Sequence, residues 1–303
     1  MRYVVSVSLG SSKRDHEVTA AFLGEDFCIK RQGTDGDLAR AEELIRELDG
    51  KVDAIGLGGI DVYLYAGGER YALRDGLRLL ACAKLTPVVD GSGLKNTLER
   101  QAVRYLEEEE KLIGPGTKVL LVSAVDRFGM AEALAAAGCD LVCGDLMFAA
   151  GIPYPIRGLE ELTRMAKKLL PEMTKMPFHM LYPTGKKQEE KAVTAAKFAQ
   201  FFDEAAVIAG DFHFIRRYSP PRLDGKIILT NTVTAADVEE LRAQGVKWLV
   251  TTTPELGGRS FGTNVLEAVM VTLLGKRWDE ITAQDYTALL ARLQLKPRIE
   301  RLN

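Results

Sequence analysis

The run Lys118-Val119-Leu120-Leu121-Val122-Ser123, followed by Gly129-Met130-Ala131-Glu132-Ala133-Leu134-Ala135-Ala136-Ala137 and then Asp140-Leu141-Val142-Cys143-Gly144, decides the fold. A short, almost wholly apolar run suits a strand buried on both faces, and the alanine-rich segment behind it suits a helix. The pattern then continues. Phe178 to Leu181, Val207 to Ala209, Ile227 to Thr230 and Trp248 to Thr252 read as further strands, with helices at Leu159 to Leu170, Gln188 to Phe202, Ala235 to Ala243 and Asn264 to Leu274. Six strands separated by helices predict a doubly wound parallel sheet in a Rossmann-like domain.

Upstream the chain also alternates. Tyr3 to Leu9, Val18 to Leu23, Phe27 to Arg31, Ala54 to Leu57 and Pro87 to Val89 read as strands, and Val62 to Leu73 as a hairpin. Leu38, Ala41, Leu44, Ile45 and Leu48 keep helical spacing up to Gly50, and Asp75 to Ala83 reads as a second helix. A long amphipathic helix from Leu94 through Glu107 to Glu110 ends at Gly114-Pro115-Gly116. The expected architecture is an N-terminal α/β substrate domain with a bridging helix, residues 1–113, and a Rossmann-like domain, 114–303. The last helix, Ala283 to Leu293, is expected to return to the first domain.

With 303 residues, 47% apolar and 27% charged, and a net charge of −2, the chain is globular and offers nothing that would attract a nucleic acid. No apolar run of about 18 residues is present and the start reads as a strand, so a cytoplasmic protein without a membrane partner is expected. Cys28, Cys82, Cys139 and Cys143 have no metal or redox spacing and read as core thiols. His16, His179 and His213 are far apart, so no metal site is expected. A homodimer is the default for such a chain.

The loop Ser123 to Gly129 stands where a dinucleotide fold carries its glycine-rich turn, but only Gly129 is a glycine. Arg127 is a candidate contact to an anion there; the alternative is that Asp126 and Arg127 cap the helix. Asp145, some twenty residues on, is placed to hold a ribose diol and would favour NAD over NADP, or simply caps a helix. Asn231 with Thr232, and Thr251 with Thr252, end two late strands and offer hydrogen bonds to a cofactor. Gly257 to Asn264 is the best anion-binding loop, through Arg259, Ser260 and Asn264. Ser8, Ser11 and Arg14 form a second candidate anion contact. Lys95 and Asp90, at the start of the bridging helix, are the candidates for proton transfer, the alternative being an ordinary cap with an exposed lysine. Asp211 and His213, two apart on an extended segment, are a further acid/base candidate or a structural pair. His179 poses the same choice.

Asp90-Gly91-Ser92-Gly93-Leu94-Lys95-Asn96-Thr97 and Gly258-Arg259-Ser260-Phe261-Gly262-Thr263-Asn264, together with Val5 to His16 and Gly33 to Leu38, resemble segments of bacterial quinate 5-dehydrogenases. The resemblance spans most of the chain. It implies the layout of shikimate and quinate dehydrogenases, with Lys95 and Asp90 beside the reacting hydroxyl, Arg259 or Arg14 on a substrate anion, and NAD as cofactor. Two other classes stay open: a methyltransferase using S-adenosylmethionine, with Asp145 on its ribose, and a non-catalytic protein that binds a small anion.

Overall fold

Strand β1 (Arg2–Ser8) alternates its valines, so that Val5 and Val7 face one way and Val4 the other. In the computed structural model, which describes residues 1–181, 195–253, 255–256, 259–260 and 262–303, this strand is the centre of a five-stranded sheet. The chain proceeds through β2 (His16–Phe22), β3 (Glu25–Gly33), α1 (Leu38–Leu48), β4 (Ala54–Gly58), the hairpin β5 (Tyr63–Ala66) and β6 (Glu69–Ala72), α2 (Arg74–Leu80) and β7 (Val88–Val89). The sheet order is β2-β3-β1-β4-β7, with only β2 antiparallel to its neighbour. Helix α3 (Ser92–Glu108) then leads across to a second sheet.

That sheet grows from β8 (Lys118–Leu121), α4 (Phe128–Ala136), β9 (Asp140–Cys143), α5 (Asp145–Phe148), β10 (Ile156–Arg157), α6 (Gly158–Met173), α7 (Phe178–Leu181), α8 (Ala199–Glu204), β11 (Val207–Ala209), α9 (Phe212–Tyr218), β12 (Ile227–Thr230), α10 (Ala235–Ala243) and β13 (Trp248–Thr251). A short hairpin, β14 (Glu255–Leu256) and β15 (Arg259–Ser260), precedes α11 (Thr263–Leu274) and α12 (Ala283–Leu293). The last strand, β16 (Arg298–Arg301), closes the order β10-β9-β8-β11-β12-β13-β16, in which both edge strands are antiparallel. Mixed α/β architecture with parallel sheets is therefore observed.

Each sheet is covered on both faces. In the first, Val5, Val7 and Leu57 meet Ala41 and Ile45 of α1, while Val4 and Ala54 meet Val265 and Val269 of α11. In the second, Leu121 and Leu229 meet Leu134 of α4 and Leu162 of α6; Leu120 and Ile228 meet Phe202 of α8 and Ile215 of α9. Helix α11 is apolar nearly all round because it is wedged between the first sheet and the pair α3 and α12, where Leu266 and Met270 pack against Leu94, Leu98 and Leu289. Each such buried side chain contributes about 1.5–3 kcal/mol. The chain thus returns to the first sheet over 263–293 and goes back to the second with β16.

Both sheets wind the same way. Their parallel strands, taken in chain order, lie second, first, third, fourth: β3-β1-β4-β7 and β9-β8-β11-β12. Such an order leaves a crevice at the carboxyl ends of the first and third strands. Here the two crevices face each other.

Three local expectations change. Residues 178–181 form helix α7, not a strand, so five parallel strands run through the second sheet and β11 stands beside β8. A four-residue apolar run does not distinguish the two states, and Pro177 just before it favours a helical first turn. Residues 211–217 are likewise helical, because Asp211 caps α9 by accepting from His213 N at 2.8 Å and the buried Phe212, Ile215 and Tyr218 lie on one helical face. The expected helix 188–202 is represented by a 3₁₀ turn at Ala195–Phe198 and α8; residues 188–194 lie outside the described residues. Of the cysteines, Cys143 is buried and the other three are half-buried, all as free thiols.

Candidate functional site

The facing crevices enclose a cleft of about 190 Å³. From the first sheet come the loops after β1, β4 and β7, bringing Arg14, Asp61 and Asp90; from the second come those after β8, β11 and β12, bringing Asp126, Asp211 and Asn231. Arg31, on β3, lies beside Arg14.

Lys95 is placed by the start of α3. Gly91 begins that helix with φ 93°, and a Cβ there would stand 2.7 Å from Asn264 N, so only glycine lets α3 and α11 approach this closely. Asp90 holds the turn: one carboxylate oxygen accepts from Ser92 N at 2.9 Å and from the Ser92 hydroxyl at 2.6 Å, the other from Val62 N and Tyr63 N at 2.5 and 3.0 Å. Asp90 therefore lines the cleft as a structural cap. The partners of Lys95 are instead Asp126, 2.6 Å from Nζ, and Asp61, at 3.1 Å.

Burial opposes the charge on Lys95, yet the two carboxylates outweigh it and raise the ammonium above its ordinary range. Asp61 pays for this arrangement: burial first, and then the neighbouring Asp126, push its carboxyl up to about 8. Asp126, although burial works against it, is held below the usual carboxylate range by Lys95 and Arg127. The trio thus sets one ammonium between an acid held towards its ionised form and an acid pushed towards its protonated form, a set able both to donate to and accept from a hydroxyl.

Arg127 lies deeper. Its guanidinium is 2% exposed and bonds Glu99 of α3 and Asp211, the latter at 3.1 Å. Burial pushes Glu99 up to about 7 against the pull of Arg127. Asn231 donates to Asp211 at 3.5 Å, and Thr232 follows it along the rim. His213 points across the cleft, with Nε2 3.3 Å from Nη1 of Arg14; burial lowers its pKa, so the imidazole is neutral. Arg31 donates to Asp15 at 2.7 Å and to the Ser8 hydroxyl at 3.0 Å. Arg14 forms no ion pair among the described residues.

Of the residues expected from sequence, Ser8, Arg14, Asp90, Lys95, Arg127, Asn231, Thr232 and Asn264 meet at this cleft; Asn264 donates to the Ser6 hydroxyl at 2.9 Å. Ser11 does not, since its hydroxyl caps a 3₁₀ turn by accepting from Lys13 N. Thr251 and Thr252 are buried away from it, Thr251 donating to Thr253 O and Thr252 N to Thr230 O. Arg259 and Ser260 have their backbone in β15, but their side chains, like those of Gly257 to Phe261 generally and of His179, lie outside the described residues. Asp211 and His213 do reach the cleft, from a helix cap rather than a strand. Asp61, Arg31 and His16 were not expected; the only local hint for Asp61 is Gly58-Gly59 at the end of a buried strand. Among the described residues no group of histidines, cysteines and acids could hold a metal, and no helix is long and apolar enough to cross a membrane.

The loop Ser123 to Gly129 is closed to a pyrophosphate. Asp145 accepts from Ala124 N at 3.1 Å and Val125 N at 2.9 Å, taking the amides that would cradle a phosphate, and burial pushes its carboxyl up to about 6 despite them. Gly129 serves another purpose: a Cβ there would lie 2.2 Å from Oδ1 of Asn96, so the glycine permits α4 to pack on α3.

A family model described as Domain of unknown function (DUF8754) matches residues 93–302. The chain belongs to this family. A second model, Domain of unknown function (DUF8753), matches residues 3–90, so the boundary between the two falls at the cap of α3 that carries Lys95. No curated protein matches the sequence. Among solved structures, an ABC transporter solute-binding protein from Burkholderia multivorans is similar at 11% identity and a TM-score of 0.43, covering 99% of each chain. A galactofuranose-binding protein follows at 13% identity and 0.41, covering 97% of this chain and 99% of its own. A periplasmic ribose ABC transporter protein from Conexibacter woesei reaches 10% and 0.40, covering 96% and 94%. These likenesses are too distant to transfer a ligand to the DUF8754 chain. The resemblance to quinate and shikimate dehydrogenases is nevertheless corrected: the matching families are domains of unknown function, and the loop expected to carry the cofactor uses two of its amides and its one glycine within the protein.

Proposed function

We propose that this protein is a small-molecule-binding protein whose cleft takes a small anion bearing hydroxyl groups. One observation carries the reading: Lys95 is clamped between Asp61 and Asp126 on one side of the cleft, while Arg14, beside Arg31, has no carboxylate partner among the described residues on the other. An ammonium and two carboxyl groups together satisfy both ends of a hydroxyl dipole, and a guanidinium suits a carboxylate or phosphate with paired N–H donors. Burial makes these bonds stronger than they would be in water. Asn231 and Thr232 extend the donor set along the second rim.

The test is calorimetric titration with D-gluconate and D-glucitol, two chains of hydroxyls of which only the first carries a carboxylate. Gluconate is expected to bind at least tenfold more tightly than glucitol, and Lys95→Met to weaken both. Absence of measurable binding by either compound contradicts the reading.

A further inference from the structure

Behind Asp61 and Asp126 a second chamber of about 100 Å³ opens, and its walls have the opposite character from the cleft. Leu64 and Leu73 come from the first unit, Val122 and Val125 from the loop after β8, and Leu170 and Met173 from α6. The two spaces share Asp61 and Asp126 in their linings, so a molecule seated at the Lys95 trio lies next to both. We infer that the ligand carries an apolar arm, a short branched alkyl group or a single ring, that enters this chamber while its hydroxyl and anionic groups stay in the cleft. The inference deepens, and rests on, the hydroxylated-anion reading above.

At about 100 Å³ the chamber is smaller than the ~150 Å³ apolar cavity that holds benzene, so it suits a short branched alkyl group, and a ring is accommodated because the chamber is open at the exposed Ala149. The chemistry is also one-sided. Aliphatic side chains give an apolar arm dispersion contacts and relief from water, whereas a purely hydroxylated ligand would leave this space empty and its lining short of partner atoms. The two carboxyl groups at the junction then mark where the ligand changes from polar to apolar.

The experiment uses three α-hydroxy acids that share one head and differ in the arm: lactate, 2-hydroxyisocaproate and 3-phenyllactate. Calorimetric dissociation constants of the intact protein should fall along the series, by at least tenfold from lactate to phenyllactate, a difference of about 1.4 kcal/mol. Ala149→Trp, at the exposed rim of the chamber, and Met173→Trp, from the opposite wall, should each shrink that ratio towards one. A flat series with measurable lactate binding overturns the apolar arm and leaves the cleft reading standing. A gradient that survives both tryptophan variants overturns it too, since the arm then lies elsewhere. No binding by any of the three overturns both readings together.

Discussion

The loops that leave the first strand of each sheet occupy equivalent places and have opposite fates. After β1, the turn from Ser8 to Arg14 sends a guanidinium into the cleft whose side-chain partner among the described residues is His213, an imidazole with its pKa lowered by burial. After β8, the turn from Ser123 to Gly129 binds its own charges: Arg127 is fastened to Glu99 and Asp211, and the amides of Ala124 and Val125 to Asp145. The first loop keeps its electrostatic demand for a ligand; the second has met that demand within the protein. Topology alone nominates both places, and only the accounting of donors and charges separates them.

Removing the cation from each loop should therefore produce different kinds of damage. Arg127→Met strands two buried carboxyl groups and should cost about 3–5 kcal/mol of stability, the largest single effect, read from urea unfolding. Should Arg127→Met leave the unfolding midpoint unchanged, the second loop is not held by its ion pairs. Arg14→Ala should leave the midpoint nearly in place and weaken gluconate by at least tenfold, in line with about 1.5–3 kcal/mol for a charged hydrogen bond. Equal gluconate affinity in that variant would remove the first loop from the site.

This division was only partly legible in the sequence. The apolar strands and the apolar helix α11 were readable because burial on both faces leaves an unbroken hydrophobic signature. Asp145 was found in the sequence with its task left open, since position after a strand does not say whether a carboxylate turns outward to a ribose or inward to backbone amides. Lys95 was visible as a chemistry-bearing residue, but its partners lie 34 and 31 residues away on other elements, and no local spacing encodes such pairs. Arg31 sits in a strand whose alternation hid it. Residues 211–217 misled because Phe212 and Phe214 also fit a period of two, and the Asp211 cap that settles the matter is a single hydrogen bond.

The two sides can be sharpened further by pH. Asp61, at about 8, belongs to the first unit, and Asp145, at about 6, to the second loop. Both lie above the roughly 3.9 of an unfolded aspartate, so the folded state holds protons that the unfolded chain has released, and stability falls as pH rises. The contribution is complete below about pH 4; for Asp145 the loss ends near pH 6 and for Asp61 near pH 8. Each group adds at most about 1.4 kcal/mol per pH unit within its window. Unfolding free energies at pH 5, 6.5 and 8.5 should show Asp61→Asn reducing the decline between 6.5 and 8.5 and Asp145→Asn acting only below 6.5. A reversed assignment would exchange the environments of the two acids.

A further pH effect is expected away from both loops. Glu267 of α11 is buried, accepts from the Tyr286 hydroxyl at 2.6 Å, and is pushed up to about 7 by burial and then by Asp90. Glu267→Gln keeps the acceptor without the charge and should stabilise the protein by about 2–3 kcal/mol at pH 8.5 relative to its effect at pH 5. An identical effect at both values would show that the folded state does not raise the pKa of Glu267.

The most direct test of which loop receives the anion is gluconate titration into the wild-type protein, Arg14→Ala and Asp145→Ala. Binding lost in Arg14→Ala and retained in Asp145→Ala is the predicted result. Binding retained in Arg14→Ala but strengthened in Asp145→Ala, where the amides of Ala124 and Val125 are set free, would place the anion at the second loop and contradict the account.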